Sequence, residues 1–168
     1  CTNDCQLPPA SCAIIKARDP NAPDGQYIIN YGMGNQTVFC DMTTGGGGWT
    51  LIATNGREGA CDANGEWTRD SMLQSNAFGV PSLVNSFRGR PYSEMPFSDL
   101  MFSTDAEYAV YANVDVGNRS YHDFQSTVPL DNCGIGTAHE YPMTEGTFGG
   151  DNLCNTNLYI HPEDWEGN

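Results

Sequence analysis

Cationic side chains are scarce in this chain. Its 168 residues include seven Lys and Arg against 21 Asp and Glu, which leaves a formal net charge of −14 at pH 7. Nucleic acids and anionic membrane surfaces are bound through basic patches, so we expect neither of them as a partner. The excess of carboxylates favours cations as ligands instead.

Long apolar runs are also missing. No stretch approaches the ~20 consecutive apolar residues that a membrane span requires, so we expect no membrane insertion. The chain opens on Cys1 without the charged, apolar and small-residue parts of a secretory leader, and we expect that any such leader has been removed. No internal repeat is present, and the length fits one domain.

Catalytic motifs are absent as well. Neither Gly-x-Ser-x-Gly nor His-Glu-x-x-His occurs, and His122, His139 and His161 lack the spacing of zinc ligands. His122 and His139 each precede a carboxylate, and we expect such sequence neighbours to point in different directions. These features predict a protein that is not an enzyme and holds no zinc.

The chain is rich in cysteine. Seven cysteines indicate an oxidising compartment, and their odd number leaves at least one thiol for another chain, for a missing segment, or free. Asn35-Gln36-Thr37 and Asn118-Arg119-Ser120 are N-glycosylation sequons. Together these features predict a secreted, extracellular glycoprotein with sugars on Asn35 and Asn118.

The residues from Ser11 to Ala53 form the most informative stretch. Asp24-Gly25 is typical of a turn, and the β-rich runs at 26–30 and 37–39 predict two strands near Cys12 and Cys40. Four glycines then precede Trp49, which suits a close backbone approach and positive φ angles.

This stretch resembles the start of the fibrinogen-related domain, with its cysteine, Gly-x-Tyr-x-Ile strand, Phe-Cys-Asp-Met strand end and Gly-Gly-Trp-Thr turn. The intelectins, or X-type lectins, are the most similar branch, because Cys61 and Trp67 follow the glycine turn here. The resemblance implies an α+β, fibrinogen C-terminal-like fold. A short disulfide-closed β subdomain would lead into a twisted antiparallel sheet with short helices and a long Gly/Asn/Asp-rich loop region. Residues 1–11 would be a tether and residues 12–168 the domain, without the further aromatic strand that such domains usually add.

The resemblance also implies two disulfides, Cys12–Cys40 and Cys133–Cys154. Cys1, Cys5 and Cys61 are left over. Either Cys1 and Cys5 form interchain bridges from the tether, or one of them pairs with Cys61 within the chain, and the sequence leaves both alternatives open.

Other elements are predicted from local patterns. Residues 68–73 and 82–87 predict short helices, with Asp70 or Ser82 as N-caps. Residues 97–102 and 107–114 predict strands joined as a hairpin across 103–106. From Gly117 onward we expect loops held by the second disulfide.

The segment from His139 to Asp164 is rich in oxygen donors. Carboxylates and amides without a run of cations suit Ca²⁺, which accepts irregular cages of roughly six to eight oxygens. In intelectins a Thr-Glu-His-His string and a later carboxylate chelate a metal that binds a vicinal diol of a sugar. Thr137-Ala138-His139-Glu140 and Asp151 resemble these parts, although Ala138 replaces the first glutamate. The resemblance thus implies a calcium site formed by His139, Glu140, Glu145, Asp151 and Asn152.

The same segment resembles fibrinogen-like lectins that hold acetylated sugars in an aromatic pocket beside the second disulfide. The ligand-binding residues available for such a pocket are Tyr141, Phe148, Asn157, Tyr159 and Trp165. Each of these aromatics is by itself more typical of a core than of a pocket.

These observations predict a secreted, calcium-dependent lectin module that binds glycans. The alternative is an extracellular assembly module, similar to procollagen C-propeptides, that forms homo- or hetero-oligomers through the N-terminal cysteines. We also expect that the natural chain continues beyond Asn168 or that a partner chain completes a sheet edge.

Overall fold

A computed structural model describes residues 7–54, 75–127, 140–147, 152–155 and 160–162, with backbone only at 127, 140, 152–155 and 160–162. Within these ranges the protein is a mixed α+β structure of short helices and antiparallel sheets, as the sequence predicts. None of the helices in these ranges is long and apolar enough to cross a membrane.

The described helices are α1 (Cys12–Arg18), α2 (Pro91–Glu94) and α3 (Tyr121–Thr127), with a 3₁₀ turn at Thr44–Gly46. The described strands are β1 (Gly25–Ile29), β2 (Gln36–Asp41), β3 (Trp49–Thr50), β4 (Ala53–Thr54), β5 (Phe87–Arg88), β6 (Leu100–Ser103), β7 (Tyr108–Tyr111), β8 (Glu140–Pro142), β9 (Glu145–Gly146), β10 (Asn152–Asn155) and β11 (Ile160–Pro162). They form four small sheets, ordered β1-β2-β3, β4-β5, β6-β7-β9 and β11-β10-β8.

The two strands predicted between Cys12 and Cys40 are confirmed. β1 and β2 pair antiparallel from Gly25 opposite Cys40 to Ile29 opposite Gln36, and β3 adds to the other side of β2. Ile29 of β1 and Val38 of β2 are buried, whereas Ile28, next to Ile29 in β1, is exposed, so the hairpin has one apolar face.

The Cys12–Cys40 disulfide is confirmed, but Cys12 does not lie on a strand. It begins α1, whose N-terminus is capped by Ser11 Oγ accepting from Ile14 N–H at 3.3 Å. The bridge therefore pins a helix onto the hairpin. Both cysteines are fully buried in a cluster with Ala22, Ile29, Val38 and Met42.

A second core forms around the predicted hairpin of the central region. β6 and β7 pair from Leu100 opposite Tyr111 to Ser103 opposite Tyr108, and Thr104 N–H donates to Glu107 C=O in the turn. This hairpin is shorter than the predicted runs but is confirmed. Buried side chains of the hairpin pack with those of α2, α3 and the loop after β7. The buried members of this second core are Tyr92, Leu100, Ala109, Tyr111, Val114, Tyr121 and Phe124.

One predicted element is wrong. At 82–87, Ser82 Oγ accepts from the N–H groups of Val84 and Asn85 as an N-cap does, yet the chain then enters β5 instead of a helix. Burial of Phe87 and Arg88 against β4 outweighs the local helical tendency. The predicted helix at 68–73 lies outside the described residues.

The loops predicted after Gly117 contain regular structure. Tyr121, Phe124 and Gln125 of α3 are all buried, which is the i, i+3, i+4 pattern of an amphipathic helix compressed into seven residues. Four short strands, β8 to β11, follow within the described ranges. A pattern this short gave no clear periodicity in the sequence.

Candidate functional site

The four-glycine turn is held from both sides. Trp49 Nε1 donates to Thr44 C=O at 2.9 Å, and the Gly45 backbone lies so close to β7 that a Cβ there would come within 3.1 Å of Tyr108 and Val110. Gly47 has φ +75° and ψ 179°, and a Cβ on it would clash with the Met42 carbonyl. The turn therefore packs the N-terminal β subdomain against side chains of β7, the strand that supplies Ala109 and Tyr111 to the second core.

Two aspartates shape this turn. Asp24 Oδ1 accepts from Met42 N–H at 2.6 Å, and Asp41 Oδ1 accepts from the N–H groups of Thr43 and Thr44 at 2.9 and 2.8 Å. Burial acts to raise the pKa of Asp41, but these hydrogen bonds outweigh burial and lower the pKa overall. Both carboxylates are used to hold backbone amides.

The acidic segment contributes to two different sheets. In one of them, Cys154 of β10 lies opposite Glu140 of β8 on one side and His161 of β11 on the other, while Asn152 lies opposite Pro142. The backbone thus brings Glu140 and Asn152 of the predicted metal set onto neighbouring strands. Glu145 instead lies on β9, opposite Val110 of β7.

Glu145 already has a partner in this structure. Its Oε1 accepts from the Tyr108 hydroxyl at 2.9 Å, and this hydrogen bond, followed by burial and by the carboxylate charge, raises the pKa of Tyr108. Thr144 and Thr147 fix β9 on β7, through N–H groups donating to the carbonyls of Val110 and Tyr108. Glu145 could serve as a metal ligand only by giving up or sharing this contact.

Across the described ranges, no three His, Cys, Asp or Glu side chains come together as a metal site. His139 and Asp151 lie outside these ranges, and the side chains of Glu140 and Asn152 are not described. The calcium site therefore stays a prediction.

Tyr141 is the one member of the predicted sugar pocket whose side chain is described. It is half-buried against the second core, with its ring centroid 6.3 Å from that of Phe124. Phe148, Asn157, Tyr159 and Trp165 lie outside the described residues. For Tyr141, packing is the role that the contacts show.

Most of the remaining cysteines lie outside the described ranges, namely Cys1, Cys5, Cys61 and Cys133. Cys154 is placed in β10 by its backbone. The predicted Cys133–Cys154 bridge and the alternatives for the other three cysteines stay predictions.

His122 and Asp123 contradict one expectation. Their side chains do not diverge, because His122 Nδ1 lies 3.3 Å from Asp123 Oδ1 at the start of α3. Flexible χ angles let side chains that are adjacent in sequence turn toward each other. This pair by itself carries no argument for catalysis.

A surface groove was missed by sequence reasoning. It has a volume of about 360 Å³ and is lined by Pro96, Phe97, Ser98, Asp115, Val116 and Asn118. Residues 96–98 and 115–118 are distant in the sequence and carry no shared motif. The only signal that pointed to this place was the sequon at Asn118.

Both predicted glycosylation sites are exposed. Asn35 lies just before β2, where its side-chain oxygen accepts from Asn30 Nδ2 at 3.0 Å. Asn118 has a left-handed backbone, with φ +58°, in the loop before α3. Both side chains are therefore in positions that a glycan can occupy.

No protein-family model matches this chain. The likeness of residues 11–53 to fibrinogen-related domains is therefore a resemblance of sequence pattern.

Proposed function

We propose that this chain is an extracellular, calcium-dependent carbohydrate-binding domain of the fibrinogen-related type, most similar to intelectins. The observation that carries the proposal is that the residues behind the resemblance fold as one unit. The Cys12–Cys40 bridge, the β1–β2 hairpin and the glycine turn before Trp49 all share the buried cluster around Met42 or contact it.

Calcium is supported by the concentration of oxygen donors in one segment. Asp24, Asp41 and Asp115 hold backbone amides or Arg119 and are not among the proposed ligands. The segment around Glu140 to Asn152 is rich in oxygen donors, and its glycine-rich chain can add carbonyl ligands, although Glu145 would have to share its contact with Tyr108. His139, Glu140, Glu145, Asp151 and Asn152 are the proposed ligands, and a sugar diol would fill open positions on the ion.

A glycan array tests this proposal. We expect the secreted protein to bind glycans in calcium and to lose binding in chelator. Asp151→Asn should abolish binding, whereas Glu107→Gln, an exposed change in the β6–β7 turn, should leave it unchanged. Absence of binding in both conditions would remove the lectin function.

The assembly function is favoured by a different observation. Val80, Leu83 and Val84 lie on one short loop and are 73%, 59% and 70% exposed, which is unusual for neighbouring aliphatic residues and typical of contact surfaces. With interchain bridges from Cys1 and Cys5, such a surface would join copies into an oligomer. Particle mass with and without reductant tests it, and a monomer under both conditions would argue against assembly.

A further inference from the structure

The groove beside Asn118 is rigid. Its two walls are tied together, because Phe97 N–H donates to Arg119 C=O and Asp115 N–H donates to Ser98 C=O, both at 3.2 Å. A ligand that settles here therefore meets a surface that is already ordered and loses little free energy to ordering it.

Asp115 fixes the loop that carries Asn118. Its buried carboxylate accepts from the N–H groups of Gly117 and Arg119 and forms an ion pair with the Arg119 guanidinium at 2.6 Å. Arg119 in turn lies over the Phe124 ring, 5.0 Å from its centroid. Asn118 is thus presented at the rim of the groove from a loop held at both ends.

The groove combines polar surface with a strongly exposed apolar side chain. Val116 is 89% exposed, the largest exposure among the large hydrophobic side chains of the described ranges. Phe97 beside it is only partly buried, and its ring is anchored edge-on against Phe124 with centroids 5.5 Å apart. The apolar face of a sugar ring packs well against such side chains, and the volume of about 360 Å³ suits a small ligand.

We propose that Asn118 carries an N-linked glycan whose first sugar lies in this groove against Phe97 and Val116. The donor would be an oligosaccharide linked to a polyprenyl diphosphate. Asn118 Nδ2 bonds to C1 of the first sugar and loses a proton, while the C1–oxygen bond to the diphosphate breaks and the diphosphate leaves with the electron pair. The proposal rests on the extracellular location in the proposed function, because only the secretory route supplies this donor.

The structure also indicates that the glycan on Asn118 is added before the domain has folded. The sequon includes Ser120, which is 5% exposed and whose Oγ accepts from Asp123 N–H at 3.1 Å, capping α3. A transfer enzyme that reads the serine hydroxyl must therefore act before α3 forms. At Asn35 the sequon residue Thr37 is exposed, so glycosylation there does not have to precede folding of the hairpin.

Glycopeptide mass spectrometry of the protein secreted from eukaryotic cells, followed by melting of variants, tests the proposal. We expect glycans on both Asn35 and Asn118. Val116→Ser should lower Tm by roughly 2–4 °C in the glycoprotein, which is the shift for an ordinary contact in a domain of this size. In the Asn118→Gln background the same change should lower Tm by less than about 1 °C, because the covering sugar is gone.

Asn35→Gln is the matched control, since it removes the other glycan and should leave the full effect of Val116→Ser. Because Val116→Ser is compared within each background, the backbone strain that Gln adds at the left-handed position 118 cancels from the Tm difference. A glycan on Asn35 alone would overturn the inference and leave the proposed function standing. Absence of both glycans would also overturn it, because the donor was supplied and not used, and the glycan array would still decide the proposed function. Equal effects of Val116→Ser in all backgrounds would show that the sugar does not lie in the groove.

Discussion

Single carboxylates organise the loops of this protein. Asp41 holds the turn before the glycines and Asp115 holds the loop after Val114, in each case by accepting backbone N–H groups. For Asp115, burial acts to raise the pKa, but hydrogen bonds from Arg119 and Gly117 and the Arg119 charge outweigh it, so the pKa falls below its ordinary value.

The first prediction concerns acid stability. A carboxylate whose pKa is lowered in the folded state stabilises that state at pH values above its ordinary pKa, here 3.8. This stabilisation is lost as the pH falls through the folded-state pKa. We expect the free energy of unfolding to decline below about pH 4. Asp115→Asn should lower it by about 1.5–3 kcal/mol at pH 7 and flatten the acid decline. Urea unfolding between pH 2 and 7 measures this, with Glu107→Gln as the neutral control, and an unchanged slope would contradict it.

A second prediction concerns two buried tyrosines. In the described ranges, the Tyr111 hydroxyl is buried without a hydrogen-bond partner, whereas the Tyr92 hydroxyl donates to Gln125 Oε1 at 3.0 Å. We expect Tyr111→Phe to be neutral or to stabilise the protein by up to about 1 kcal/mol, because it removes an unsatisfied polar group. Tyr92→Phe, the matched change, should destabilise by about 1 kcal/mol or more. Chemical unfolding compares them, and a larger loss from Tyr111→Phe would mean that its hydroxyl has a partner such as a bound water.

Between elements, the disulfide is the strongest local constraint. It joins α1 to β2 and closes a loop with a sequence separation of 28. We expect Cys12→Ala/Cys40→Ala to lower the free energy of unfolding by about 3–4 kcal/mol, because the unfolded chain regains the entropy of that loop. Guanidinium unfolding measures the change.

Reduced wild-type protein is the control for that measurement. It should show a loss at least as large, because reduction leaves the sulfurs in place but opens this bond together with the predicted Cys133–Cys154 bridge. Full stability after reduction would show that packing of Ile29, Val38 and Met42 holds α1 on the hairpin without the bond.

The secondary-structure elements were predicted unevenly. β1, β2 and the β6–β7 hairpin have enough β-branched and aromatic residues between turn signals to be read from the sequence. β5 was missed because a strand of two residues shows no alternation of apolar and polar side chains. Its extended conformation depends on pairing with β4. α3 was missed because seven residues show barely two turns of an amphipathic pattern.

At the scale of the molecule, charge governs the response to ions. With a net charge of −14, added salt of any kind should reduce self-repulsion and raise Tm slightly. A calcium site would add to this, by about 2.7 kcal/mol at a hundred times Kd. For a domain of this size we expect Tm to rise by roughly 5–11 °C in calcium.

Magnesium at equal ionic strength is the control for the calcium measurement. It reproduces the screening but fits irregular cages of protein oxygens poorly, so its shift should be the smaller one. Equal shifts in the two ions, or none in either, would argue against a tight calcium site and in favour of the assembly function.

Local sequence patterns were enough to predict the N-terminal β hairpin and the acidic character of the protein. Turn residues, β-rich runs and the glycines before Trp49 act over short distances, so their pattern predicts the hairpin and the turn directly. The acidic composition likewise sets the net charge whatever the fold.

The contacts between side chains became known from the three-dimensional structure. It showed that Cys12 begins a helix, that Glu145 bonds Tyr108, and that Phe97, Val116 and Asn118 line one groove. Each of these contacts joins positions far apart in the chain or depends on packing that overrides local preference. Such contacts are set by the burial of the two cores as a whole, and a reading of local pattern cannot supply them.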